Sequence, residues 1–543
     1  MKKIVQKMIL TIVALLILGG YFYVTLPAIS IHSTGFWFSL VLILVIAMGL
    51  FIKKKRMSIY EIKYSKSVKI WIGAIALVIL VFFIGSLASS EIFNAKKYQQ
   101  LLQVEKGEFA TDIKELSYDQ IPLLDRDSAT LLGNRKMGSM VDMVSQFEVD
   151  TIYSQINYND KPVRVSPLRY ASAIKWLTNQ SEGIPAYVLI DMATQDTKLV
   201  KLEEGIKYSN SEFFNRNIYR HLRFRYPTYI FNELSFEIDE EGTPYWICPV
   251  FKYNIGLFGG KTIGRVVLCN AITGETQDLA VSDVPQWVDR AYSADLLVQL
   301  YDYHGTLKHG FLNSVFGQKD CLNTTSGYNY LAIDDDVWVY TGVTSVSGDQ
   351  SNVGFVLMNQ RTMETKFYEI EGATEESAMG SAEGQVQNLK YVATFPLLLN
   401  INEQPTYFIA LKDNAGLVKK YAMVNVQKYQ LVGIGDTVSE CESNYKELLM
   451  KEGIDTEEGK APVKAGNIKG IIEKMVPVVI DGNTHYYVMI QGSEDIFDVA
   501  ISGEKSTCVS ILTYDVGQEI ALTYVPREEG AGPSVCKVLQ IGE

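Results

Sequence analysis

Five histidines are spread along the chain, and only His304 and His309 lie close together, in the run Tyr303-His304-Gly305-Thr306-Leu307-Lys308-His309. Zinc-binding histidines on one helix face sit four residues apart. A spacing of five puts them on different faces, and Gly305 weakens the helix itself. The acidic runs around Glu237, Asp239, Glu240 and Glu241, and at Asp334-Asp335-Asp336, could offer oxygens to a hard cation. They lack the Asp-x-Asp-x-Asp-Gly spacing with a distal Glu that builds a calcium loop, and read as hairpin turns. Ser443-x-x-Lys446 and Ser502-x-x-Lys505 carry the letters of a Ser–Lys nucleophile pair, but no Ser-Asp-Asn, Lys-Thr-Gly or Gly-x-Ser-x-Gly accompanies them. Gly256-Leu257-Phe258-Gly259-Gly260-Lys261 has neither the spacing nor the following helix of a phosphate loop, and reads as a hairpin bend. No catalytic, cofactor-binding or metal-ligating residue is expected, and no cofactor.

Aromatic residues are the enriched class, with 32 Tyr and 23 Phe. Tyr245, Trp246, Tyr253, Tyr328, Tyr330, Trp338 and Tyr340 fall in strand-like runs where one sheet face should stay accessible. Such side chains combine a large contact area with a polar tip, so these seven form the candidate interaction surface.

The elements that would position them repeat. Val188-Leu189-Ile190-Asp191-x-x-Thr194-x-Asp196-Thr197, Val267-Leu268-Cys269-Asn270-x-x-Thr273-x-Glu275-Thr276 and Val356-Leu357-Met358-Asn359-x-x-Thr362-x-Glu364-Thr365 are near-copies, with a worn fourth around Asn425. Each apolar run ends in an Asp or Asn that can start a tight turn and a Thr that can bond back to the backbone. The spacings of 79, 89 and 66 residues suit mixed α+β modules with insertions better than a tight solenoid. Within them we predict helices starting at Ser166-Pro167 and covering about 211–225, 375–389 and 437–452. Alternating strands with acidic turns lie between.

Helix, strand, acidic turn, Gly242-Thr243-Pro244-Tyr245-Trp246 and Val267-Leu268-Cys269-Asn270-Ala271-Ile272-Thr273-Gly274-Glu275 together resemble the PepSY-type modules of bacterial exported proteins. That family's pattern ends in a similar Asp-Ala-x-Thr-Gly-Glu turn. The resemblance is best over about 211–281, fair over 375–434 and partial over 166–202 and 327–370, and only the second copy has Thr-Gly-Glu. It implies extracytoplasmic, often membrane-tethered, non-catalytic modules that bind or restrain other proteins.

Charge divides the chain. Residues 1–90 hold ten Lys or Arg against Glu61 alone, a net +9, whereas the forty bases beyond face 61 acids, a net −21. The runs Met8–Leu26, Phe36–Ile52 and Ile70–Ser89 are uncharged and each close to the roughly 17–25 residues that span a bilayer. Lys2, Lys3 and Lys7, and the loop 53–69 with seven basic residues, are expected on the cytoplasmic side, which puts 90–543 outside. Cleavage of the first run as a signal peptide is the alternative. An acidic exterior disfavours nucleic acid. The six cysteines are too sparse for a disulfide framework; Cys508 and Cys536 are the one pair considered, against isolated buried thiols.

The expected organisation is a membrane-anchored α+β chain with three N-terminal transmembrane helices (about 8–26, 36–52 and 70–89). A helical stalk follows at 91–140, then modules at 141–210, 211–310, 311–374 and 375–452, a linker at 453–468 and a small OB-like β-barrel at 469–543. The expected function is a non-catalytic extracytoplasmic scaffold in a bacterial envelope, touching the lipid bilayer and binding envelope proteins or itself. The alternatives are a sensor acting through a partner and, behind it, a cell-surface hydrolase.

Overall fold

The computed structural model describes residues 12, 16–116, 120–345, 351–454, 466–480, 483–493, 495–501, 509–525 and 535–542. They fall into two compact units, divided between Lys451 and Glu452.

The first unit opens with apolar helices: α1 (Leu16–Thr25), α2 (Thr34–Lys55), α3 (Ile59–Tyr64) and α4 (Lys66–Ala88). α2 and α4 hold 22 and 23 residues, about 33 Å each at 1.5 Å per residue, long and apolar enough to cross a membrane. Ile72, Leu77, Ile79, Leu80 and Phe83 on α4 are exposed, an arrangement costly in water. Lys53, Lys54 and Lys55 close the last turn of α2, where cations suit the helix dipole. A capping box of Ser58 and Glu61 starts α3, and Ser65 caps α4. Much of the first predicted span, 8–26, lies outside the described residues.

The segment expected to be a stalk is instead packed along the modules. α5 (Glu91–Gln99) follows α4 almost directly, and Glu105–Lys106 joins the third sheet as a parallel edge strand against Lys366 and Phe367. Tyr98, Leu102, Phe109, Ile113, Ile121 and Leu124 are buried. A free stalk would leave these apolar side chains in water, and their burial fixes the path.

Four antiparallel meanders follow. The first comprises Phe147–Val149, Ser154–Tyr158, Lys161–Tyr170, Ile184–Asp191 and Thr197–Ile206. The second runs Ser235–Ile238, Pro244–Ile255, Gly259–Asn270 and Thr276–Ala280. The third is Leu322–Thr324, Asn329–Ile333, Asp336–Ser345, Gly354–Asn359 and Thr365–Tyr368, and the fourth Val392–Ala393, Leu397–Ile401, Gln404–Lys412, Val418–Asn425 and Val432–Gly435.

The repeated phrase joins the last two long strands of every meander. Asp191 Oδ1 accepts from the N–H of Ala193 and Thr194, Asn270 Oδ1 from Ile272 and Thr273, Asn359 Oδ1 from Arg361 and Thr362, and Asn425 Oδ1 from Gln427 and Lys428. In the first three the Thr hydroxyl accepts from the N–H two residues on. The residue four beyond the Asx has positive φ in the same three: Gln195 (64°), Gly274 (74°) and Met363 (68°). Only the second copy places there the residue that adopts this conformation without strain.

Two helices differ from expectation. Ser166 and Pro167 sit inside the strand Lys161–Tyr170, opposite Val188 and Tyr187, in a strand that has a neighbour along each edge, and Ser172 caps the actual helix, Ala173–Asn179. A cap-like dipeptide is overridden here by strand pairing on both edges. His304 lies near the end of an unanticipated helix, Ala294–Thr306, whose Gly305 lets the backbone of Leu322 approach.

The second meander is covered on both faces. Trp246, Cys248, Val250 and Phe236 pack with Tyr187, Val188 and Ile190 of the first, while Ile247, Val266 and Leu268 pack with Val339, Val356 and Leu297. Buried apolar side chains on alternate sides of one strand explain its nearly continuous apolar sequence.

In the second unit, Gly466–Ile480 pairs through its first half with Glu519–Val525 and through its second half with Asn483–Ile490. Ile496–Ile501 pairs with Asn483–Ile490 and, in parallel, with Val535–Ile541, which returns to Glu519–Val525. The sheet therefore curls until its first strand meets both neighbours, over a core of Ile472, Val488, Ile490, Phe497, Val499 and Leu522. An irregularity between Ile472 and Lys474 marks where that strand changes partner.

Candidate functional site: a central cavity and a helix junction

The residues singled out for chemistry are placed in structural roles. His304 Nδ1 faces the carbonyl of Leu102, and His309 Nε2 lies 3.0 Å from Asp320. Ser443 donates to the carbonyl of Ser439, while Lys446 pairs with Glu442 at 2.6 Å. Ser502 and Lys505 lie outside the described residues, as does Cys508 and so its pairing with Cys536. Cys248, Cys269, Cys321 and Cys441 are buried free thiols. Among the described residues, no group of three or more His, Cys, Asp or Glu is arranged to hold a metal ion.

Three of the seven candidate surface aromatics are core residues. Trp246 is fully buried and donates to the carbonyl of Tyr208, Tyr340 is fully buried with its hydroxyl on the carbonyl of Pro396, and Trp338 is 7% exposed. The premise of one accessible sheet face fails for Trp246 because sheets cover both sides of its meander. Tyr245 is half-buried against Trp287, and Tyr253 stacks on His32 with ring centroids 5.2 Å apart. Tyr328 and Tyr330 face a cavity.

That cavity, of about 410 Å³, is lined by all four modules and the segment 122–126. Gln155 and Arg164 are cross-strand partners in the first meander, and both line it. Arg164 is 6% exposed; its Nη2 donates to Gln155 Oε1 at 3.2 Å, and its Nε has no partner. Burial pushes its pKa down to about 10, still charged at neutral pH. Gln155 Nε2, Arg290 Nε and the Tyr153 hydroxyl are likewise buried without a partner.

The acids lining the cavity are engaged elsewhere. Asp125 holds Lys412 and caps the helix Arg126–Gly138, Glu233 pairs with Arg290 at 3.0 Å, and Asp295 accepts from the Tyr328 hydroxyl at 3.0 Å. Aromatic and aliphatic walls come from Tyr330, Phe395, Leu124 and Leu397. Sequence reading missed Arg164 and Gln155 because an Arg alternating with apolar residues in a strand looks like a solvent-facing position. Only the packing of four modules around it buries the charge.

A second feature is the joint between α4 and the second meander. The Ser89 hydroxyl accepts from the N–H of Leu257 at 2.8 Å and of Phe258 at 3.2 Å, and the Ser89 carbonyl accepts from the Tyr98 hydroxyl at 2.7 Å. A Cβ on Gly259 would meet that carbonyl at 2.3 Å, so the glycine bend admits the helix end. His32 Nδ1 bonds the carbonyl of Leu257 at 2.7 Å. Arg223 donates to the carbonyl of Leu26, Ile29 N–H to the carbonyl of Pro227, and the Arg220 guanidinium lies 4.2 Å from the Tyr23 ring centroid.

No protein-family model matches the chain, and no curated protein matches it. Among solved structures, a crystal structure of an ACO/RPE65 chimera aligns over 74% of this chain and 67% of that one, at 8% identity and a TM-score of 0.14. Likeness that slight carries no argument about fold or function.

Proposed function

We propose that this chain is a non-catalytic, membrane-anchored interaction protein of a cell envelope, with residues 90–543 outside and 53–69 in the cytoplasm. Its four meanders are PepSY-like modules, supported in the second by the helix Ile218–Arg225 followed by an antiparallel sheet whose last strands are joined by the Asn270 turn. The C-terminal sheet is OB-like, supported by its strand order of first, second, third, fifth and fourth, returning to the first. The observation that carries the reading is the joint at Ser89. A domain that only needed retention at a membrane could hang from a loose linker, whereas here five hydrogen bonds, through the Ser89 hydroxyl, the His32 ring, the Arg223 guanidinium and the Ile29 N–H, hold the second module onto the end of α4 and the loop between α1 and α2. Such a joint supports modules held at a fixed orientation to the bilayer, as a platform for other proteins requires.

A second reading, an envelope sensor, is favoured by the cavity. A ligand there would touch every module, and the joint would carry a change in their packing to the helices. The loop between α2 and α4 is too short for a signalling domain, so a partner would carry the signal onward.

The topology is tested with a membrane-impermeant thiol reagent on intact cells. Cysteine in place of Lys460 should be labelled and cysteine in place of Ser58 should not; the reverse pattern overturns the reading. Crosslinking from the exterior followed by detergent extraction should capture a discrete partner or homo-oligomer. A monomer in every extract would count against the platform and leave the sensor.

A further inference from the structure

We propose that the central cavity binds a small organic monocarboxylate with an apolar or aromatic body, held through its carboxylate by Arg164. A guanidinium withdrawn from water without a carboxylate or full hydrogen bonding is costly, so a fold that keeps one normally compensates it. Here the only polar partner of Arg164 among the described residues is Gln155, and its Nε is left over. Two further orphaned groups on lining residues, Gln155 Nε2 and Arg290 Nε, can also donate. Among the described residues, no lining residue carries an orphaned group limited to accepting. A buried guanidinium with hydrogen-bonding capacity to spare is complementary to an oxyanion, and the planar fork of Arg matches a carboxylate.

Charge selects among oxyanions. Asp125, Glu233 and Asp295 line the same cavity. They repel a dianion, whereas one negative charge balances the one fully buried guanidinium that has no carboxylate partner. The remainder of the lining asks for an apolar body: Tyr330 and Phe395 offer rings, and Leu124, Ile152 and Leu397 aliphatic surface. The volume of about 410 Å³ falls within the roughly 300–1,000 Å³ usual for small-molecule sites. Because every module contributes to the lining, occupancy would tie their relative positions together. The inference concerns ligand chemistry and stands whichever way the chain is oriented in a membrane.

The test uses the full-length protein in detergent at constant ionic strength, with sodium benzoate, sodium acetate, benzyl alcohol and inorganic phosphate as probes. Benzoate is expected to raise the thermal midpoint saturably, with affinity at least ten-fold above benzyl alcohol and phosphate. In Arg164→Met the benzoate effect should fall at least ten-fold, while the midpoint without ligand stays equal to or above that of the parent. Tyr330→Leu keeps the guanidinium and should weaken benzoate more than acetate. The proposal is overturned if no carboxylate binds saturably, or if benzyl alcohol binds as well as benzoate. It also fails if Arg164→Met lowers the unliganded midpoint or does not fold, since Arg164 would then serve the fold.

Discussion

Raising the pH from about 4.5 toward 7 should destabilise the first unit, and replacing one side chain, Glu237→Gln, should remove much of that sensitivity. Glu237 and Asp289 are both buried, at 0% and 1% exposure. Glu237 accepts from the Ser235 hydroxyl at 2.8 Å and from the Asp289 N–H at 2.9 Å; Asp289 accepts from the Asn157 N–H at 2.7 Å, and its Oδ1 has no partner. Burial raises the Glu237 pKa from 4.5 to about 7, against the lowering effect of these hydrogen bonds and of Arg290. Burial also raises Asp289, reinforced by Glu237, Asp336 and Asp335.

The folded state therefore holds a proton at Glu237 that the unfolded chain has released. The contribution of this group is fully present below about pH 4.5, is lost as pH rises toward 7, and changes no further above it. Keeping one proton on the buried pair from about pH 4.5 to about 7, at roughly 1.4 kcal/mol per pH step, is worth on the order of 3 kcal/mol at neutral pH, or about 4 °C in midpoint for a unit of this size. Gln preserves the shape, can accept from the Asp289 N–H and can donate to Ser235, so the charge is removed with the contacts kept. Thermal unfolding followed by tryptophan fluorescence between pH 5 and 8 should show Glu237→Gln matching the parent near pH 5 and exceeding it by about 4 °C near pH 7.5. Parallel pH profiles for the two proteins, or a variant less stable at pH 7.5, would refute the reasoning.

The Asx turns make a second prediction. Gly274→Ala meets both a φ of 74° and the Tyr208 ring at 2.3 Å, and should cost at least about 2 kcal/mol, whereas Met363→Gly at the equivalent position should be near neutral by the same thermal assay. At the helix joint, Gly259→Val should push the hairpin tip off Ser89 and expose the segment around Leu257 to limited proteolysis; an unchanged digestion pattern would show that the joint is not built on that contact. Trp246→Ala should cost about 3–5 kcal/mol as a core deletion and abolish ordered expression, while Tyr245→Ala should remain folded, as circular dichroism would report.

Local chemistry made parts of this molecule readable in advance. The run Val337–Tyr340 and the acidic turn before it were legible because a short continuous run of β-branched and aromatic residues next to an Asp pair specifies a hairpin; φ is indeed positive at Asp334 and Asp335. The role of Asp191, Asn270, Asn359 and Asn425 followed from side chains able to reach N–H groups two and three residues on, a contact internal to the turn. The helix at Ser166-Pro167 failed because capping preference amounts to about 1 kcal/mol, while strand pairing on both edges and burial on both faces outweigh it.

What could be read from the residues alone is therefore short-range: the apolar runs, the hairpins of the meanders and their shared turn, each set by contacts between residues close along the chain. Only the tertiary structure decided which aromatics are core, that 91–140 runs along the modules, and that Arg164 lies beside a shared cavity. Those outcomes depend on which sheet covers which face, and Arg164 and Asp295, 131 positions apart in the chain, meet at one cavity only once four meanders have packed.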